Sequence, residues 1–144
     1  MKIRQDFVTN SSSSSYIIAY QQIPTYDEET LKRYPAIACF NKLVDMVLTA
    51  SGGGYGDTDE GEKVTTKDEL DTYFIERYGW KDITLEKLFE DDEWLKEKYD
   101  KSLAAINRGC VVLFKRIDYS DNTLSNLIEE LGKGNVGIEV IENG

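Results

Sequence analysis

The sequence predicts one domain of the α/β or α+β class, with a small mixed sheet, a C-terminal βαβ unit and about five helices. Three observations predict it. The chain has 144 residues, 40% of them apolar and 11% aromatic, enough to build one core. Its middle repeats apolar residues at helical spacing, between capping residues and glycines. Its last third places two strand-like runs about 18 residues apart with a helix between them. That separation favours a parallel pair joined by a right-handed crossover. The expected organisation is a Ser-rich arm over residues 1–15 and one globular domain over residues 16–144.

The arm contains Asn10 and five consecutive serines, Ser11 to Ser15. Small polar side chains are poor at holding a core, so an exposed arm is expected. The same hydroxyls could form a recognition tract that a partner binds, modifies or trims: Asn10, Ser11, Ser12, Ser13, Ser14 and Ser15. Tyr16–Tyr20 (Tyr-Ile-Ile-Ala-Tyr) follows as a short buried strand. Thr25 and Glu28 have capping-box spacing, which predicts a helix over about Tyr26–Arg33 that Pro35 stops.

The cleanest helical pattern runs over Ile37–Ser51. Phe40, Leu43, Val44, Val47 and Leu48 form one apolar face, and Gly52 ends it. Gly52–Glu62 reads as a glycine-rich acidic loop. Thr66 and Glu69 are a second capping box, opening a helix whose Leu70, Phe74 and Tyr78 point inward. A short helix near Thr84–Glu90 follows. Asp91 or Asp92 then caps a longer helix with Leu95, Tyr99, Leu103 and Ile106 inward and Gly109 at its close. Cys110–Ile117 is a strand. Ser120 or Asp121 caps a helix bearing Leu124, Leu127, Ile128 and Leu131, which Gly132 ends. Val136–Ile141 alternates as a final strand.

Composition excludes several function classes. The chain has no histidine, which removes Ser-His-Asp and Cys-His catalysis and the HExxH zinc motif. Its two cysteines, Cys39 and Cys110, have no metal-ligand spacing and read as two buried thiols of a cytosolic protein. No metal and no cofactor is expected. No apolar run exceeds five residues, against roughly 20 for a membrane span. Lys2 and Arg4 are followed by Asp6 and a polar stretch, not by the apolar core of a signal peptide. A cytoplasmic location is therefore expected, and the Asn10-Ser11-Ser12 sequon is discounted.

The opening Met1–Ala19, with its Asp-Phe-Val-Thr-Asn-Ser-Ser-Ser-Ser-Ser segment, resembles the start of a group of uncharacterised bacterial and phage-encoded proteins with diverse remainders. Cys110–Leu131, a strand, a Tyr-Ser-Asp turn and a helix, is similar to the ends of some of them. The resemblance implies a bacterial or mobile-element origin. It implies no activity and assigns no site residues.

Charge supplies the functional expectation. The formal net charge is −10, with residues 55–100 holding 16 acidic and 7 basic side chains, net −9. Such a chain is a poor direct nucleic-acid binder and should avoid anionic membranes. Gly52-Gly53-Gly54-Tyr55-Gly56 lacks the lysine of a phosphate cradle, and the acidic loop misses the calcium-loop spacing. Asp91-Asp92-Glu93 sits where carboxylates cap a helix. Tyr73, Tyr78, Trp80, Trp94 and Tyr99 all lie in the same acidic third. The expected function is non-enzymatic: a binding or accessory protein of a bacterium or phage, acting through protein–protein contacts with a basic protein. The expected binding residues are Asp57, Asp59, Glu60, Glu62, Asp91, Asp92 and Glu93. The alternatives are an enzyme using Asp, Glu or Tyr chemistry in a pocket, and a substrate or cargo recognised through its Ser-rich N-terminus.

Overall fold

A computed structural model describes residues 13–21, 27–51, 58–118, 122–134 and 137–143. Tyr16–Tyr20 is apolar without alternation, which suits a strand covered on both faces. It lies in β1 (Ser13–Gln21), at the interior of the sheet. The strand order is β2-β3-β1-β4, where β2 is Glu62–Val64, β3 Cys110–Asp118 and β4 Ile138–Asn143. β1 pairs antiparallel with β3 over its full length, Ser13 opposite Asp118 and Gln21 opposite Cys110. It also pairs antiparallel with β4, with an irregularity between Ile17 and Ile18.

Six helices complete the described chain: α1 (Glu28–Arg33), α2 (Pro35–Thr49), α3 (Lys67–Tyr78), α4 (Leu85–Asp91), α5 (Glu93–Asn107) and α6 (Asn122–Lys133). The class is α+β, and β3-α6-β4 is the C-terminal βαβ unit. β3 and β4 run in the same direction, but β1 lies between them, so every hydrogen-bonded strand pair is antiparallel.

Side chains of successive strand residues point to opposite faces. On one face Tyr16, Ile18 and Tyr20 of β1 join Val111, Leu113 and Ile117 of β3, Ile138 of β4, Val44 and Leu48 of α2, and Leu124 and Ile128 of α6. On the other, Ile17 and Ala19 join Val112 and Phe114, under Leu70 and Phe74 of α3, Leu88 of α4, and Leu95, Tyr99 and Ala105 of α5. The helices thus lie in two layers around the sheet.

Several sequence expectations shift. Ser13–Ser15 belong to β1, because β3 gives their backbone a partner strand, Ser13 opposite Asp118 and Ser15 opposite Arg116; these three serines lie in the sheet and not in an arm. The first helix is capped by Asp27, whose Oδ1 accepts from the Thr30 amide at 2.7 Å; Thr25 and Tyr26 lie outside the described residues. Pro35 opens α2 at its first turn, where no amide is needed, as well as following α1. Leu43 of α2 and Leu127 of α6 are about half exposed, since Val44–Leu48 and Leu124–Ile128 suffice to face the core. The Phe40 side chain, Gly52–Gly56, Ser120, Asp121 and Val136 lie outside the described positions. Gly132 sits inside α6 against Val140, and the helix ends at Lys133. Cys39 is exposed and Cys110 half-buried, both free, which corrects the expectation of two buried thiols: Cys39 lies on the solvent side of α2 with Leu43 and Met46. β2 has no counterpart in the sequence reading, because three residues are too few to show a period.

Two glycines test the backbone. Gly61 has φ +90°, and a Cβ there would meet Leu113 Cδ1 at 2.5 Å; Gly109 has φ +88° with open space around it. Gly61→Ala should therefore lose about 2–4 kcal/mol, from left-handed strain plus overpacking. Gly109→Ala should lose about 1–2 kcal/mol, from strain alone. Urea unfolding followed by circular dichroism checks both; equal losses would contradict the packing around Gly61.

Candidate binding cleft and aromatic groove

At the end of the sheet where β1 begins and β3 and β4 finish, a cleft of about 520 Å³ opens. β3 contributes Phe114, Lys115 and Arg116, and the segment ending in β2 contributes Asp59, Glu60 and Glu62. The last turns of α3 supply Tyr73, Arg77 and Tyr78; the first turns of α5 supply Trp94 and Lys98. Around the Tyr78 and Trp94 walls lies a second hollow of about 300 Å³, bordered by Trp80, Leu88, Asp91, Asp92 and Leu95. Tyr78 and Trp94 line both, so cleft and groove adjoin across these two side chains.

Local rules place these residues. α3 begins at Thr66, whose hydroxyl accepts from the Glu69 amide at 3.2 Å, while Glu69 accepts from the Thr65 amide at 2.8 Å. This is a capping box shifted by one donor. The Thr65 amide and hydroxyl hold the Glu69 carboxyl below its usual range. α5 begins at Asp92, whose Oδ1 accepts from the Trp94 and Leu95 amides at 3.1 and 3.3 Å. That cap sets the angle at which Trp94 leaves the backbone. One turn on, Lys98 Nζ lies 3.4 Å from the centroid of the Trp94 ring and pairs with Glu142 of β4. Lys98 is only 6% exposed, and an ammonium that far from water needs such partners.

Lys115 is buried as well, on β3. Its Nζ donates to the carbonyls of Ala50 and Asp59. The same Asp59 accepts from the Arg116 amide at 2.9 Å, and its own amide donates to the Arg116 carbonyl at 3.0 Å. Beside it, the buried Thr58 hydroxyl accepts from the Asp118 amide at 2.7 Å. Thr58 and Asp59 thus bind the segment before β2 to β3 and form one rim of the cleft.

The aromatic residues make the wall rigid. Tyr73 stacks on Phe114 with centroids 3.9 Å apart, and Phe74 meets Tyr99 edge-on at 5.4 Å. The Tyr99 hydroxyl donates to Asp71, which also pairs with Lys67 at 2.8 Å. Burial raises the phenol pKa values of Tyr73 and Tyr78, against the pull of Arg77. Burial, then the Asp71 carboxylate, raises Tyr99, and burial raises Tyr20 against the pull of Lys63.

The expected binding residues separate into groups. Glu60 and Glu62 are exposed on the cleft rim, and Asp91 is exposed on the groove rim. Glu93 is exposed in the first turn of α5. Asp92 is half-buried and occupied in capping, and Asp59 ties down a loop, so both act first as structural groups. Asp57 lies outside the described residues, as do Asn10, Ser11 and Ser12; Ser13, Ser14 and Ser15 are paired in β1 and are not a free tail. Lys98 and Lys115 were missing from the sequence-based set. A Trp94-x-x-x-Lys98 spacing on one helix face was the available signal for the first. Among the described residues no group of three or more Asp, Glu or Cys is placed to hold a metal ion, and no helix is long and apolar enough to cross a membrane.

The tyrosines give a pH prediction. A phenol whose folded pKa lies above its unfolded value, about 10, keeps its proton longer in the folded state. Its contribution to stability is whole below about pH 10 and is lost as pH rises further. Stability against urea should therefore fall above that point, and Tyr73→Phe should make the fall shallower. Absorbance at 295 nm should show fewer tyrosines ionising in the folded protein than the nine of the denatured chain. Nine that titrate together near 10 in both states would contradict the buried placement.

No protein-family model matches this chain, and no curated protein or solved structure matches it.

Proposed function

We propose that this chain is a non-enzymatic binding protein that engages a basic protein partner through the surface formed by the cleft and the aromatic groove. The observation that carries the reading is the placement of both tryptophans. Trp80 and Trp94, 57% and 41% exposed, border one groove with Asp91 and Asp92. Exposed indoles are unfavourable in a free soluble surface, and tryptophan is among the residues that dominate protein interfaces. Here they stand in the third of the chain that holds nearly all the excess negative charge. A field of that sign steers a basic partner toward the surface, and the indoles then supply contact area. The resemblance of the opening segment supports a bacterial or phage setting, and two free cysteines suit the reducing cytoplasm.

The test compares capture from native lysate by the wild-type chain and by a variant with Glu60→Lys, Glu62→Lys, Asp91→Lys and Glu93→Lys. All four side chains are exposed, so the fold should be unaffected. A basic protein should be enriched by the wild type, released as salt rises, and lost from the variant. Equal capture by both would overturn the reading.

A further inference from the structure

We infer that the groove between Trp80 and Trp94 takes an arginine side chain of the partner, its guanidinium on the indole of Trp80 and its charge against Asp91. The inference rests on the binding reading above and names what that surface recognises. The groove has flat aromatic and aliphatic walls, from Tyr78, Trp80, Trp94 and Leu88, and a carboxylate rim, from Asp91 and Asp92. Those are the two needs of a guanidinium: a planar π-face to stack on, and oxygen acceptors at its edge.

Other occupants fit less well. An acidic segment would meet Asp91, Asp92 and Glu93 in a region of net charge −9. An apolar segment would strip water from Asp91 without replacing it. A lysine ammonium is a compact, strongly hydrated charge and uses flat walls poorly. The protein itself demonstrates that this ring system accepts a cation: Lys98 sits 3.4 Å over Trp94. Lys98 lines the cleft and is not among the groove's walls, so it approaches from the neighbouring hollow. Asp92 is held by the Trp94 and Leu95 amides, which leaves the exposed Asp91 as the edge acceptor.

The chain has two tryptophans, both on the groove; Trp94 also lines the cleft, so the Trp80 indole N–H resonance reports the groove itself and the Trp94 resonance the surface it shares with the cleft. They are followed by NMR while a short blocked peptide of alternating glycine and arginine is added at low salt. Matched peptides carry citrulline or lysine in place of arginine. The arginine peptide should move both resonances. The citrulline peptide, which keeps the planar shape without the charge, should leave them in place. The lysine peptide should bind about threefold or more weakly. Trp80→Ala should weaken arginine binding about fivefold, and Asp91→Asn about threefold. Both side chains are exposed, and indole dispersion confirms folding of the Asp91 variant. Citrulline or lysine binding as tight as arginine, or no shift with any peptide, overturns the inference. If the captured basic protein is lost on charge reversal at Glu60 and Glu62 but kept by Trp80→Ala and Asp91→Asn, the arginine site falls and the wider reading stands. If arginine moves the indoles yet no basic protein is captured, the wider reading falls and the site stands.

Discussion

The structure depends on the register between β1 and β3. β1 is an interior strand covered on both sides over Tyr16–Tyr20, so each of these five residues is committed to one of two cores. Ile18, fully buried, faces α2 and α6, while Ile17, at 3% exposure, faces α3–α5. A slip of one residue would send each set to the other's core and break both at once. The pairing of Tyr16–Tyr20 with Val111–Lys115 therefore fixes which helices lie on which face. It also explains why β3 and β4 belong to a βαβ unit without pairing with one another: β1 fills the gap between them, and α6 spans over it.

That register also builds the cleft and the aromatic groove beside it. Near its end β3 carries Lys115 and Arg116 on opposite faces. Lys115 turns to the carbonyls of Ala50 and Asp59, and Arg116 holds Asp59 through its backbone. The loop that carries Glu60 and Glu62 is thereby fixed beside the ends of α3 and α5. Phe114, one residue earlier, stacks on Tyr73 and anchors the last turns of α3, which bear Tyr78. The acidic residues of this third have two roles. Glu69, Asp71, Asp92 and Asp59 satisfy amides, a phenol and an ammonium inside the architecture. Glu60, Glu62, Asp91 and Glu93 remain exposed and supply the field outside it.

Much of the fold was legible because its signals are local. The cap at Thr66, the cap of α5 narrowed to Asp91 or Asp92, the apolar stripes of α3 and α5, and the continuous apolar run of β1 are each set by neighbours within a few residues. What was not legible depends on partners distant in sequence. Pairing with β3 recruits Ser13–Ser15 into a strand although serine has little preference for one. β2 exists only because β3 offers an edge to it. The same holds for the site. The acidic third and its aromatic residues were visible, but composition could not divide Asp59 and Asp92, used internally, from Glu60 and Asp91. Nor could it foresee two buried lysines, one of them, on α5, stabilised by a tryptophan one turn away and by a glutamate on β4.

The central claim is that both indoles stand exposed in a negative field. Quenching of tryptophan fluorescence tests it most directly, with cesium, iodide and neutral acrylamide as quenchers. Both tryptophans of the chain border the groove, so the signal comes from nowhere else. The account predicts efficient quenching by acrylamide and cesium, weak quenching by iodide, and a difference between the ions that closes as inert salt screens the field. Iodide quenching as strong as cesium at low salt, or indoles that acrylamide cannot reach, would contradict it.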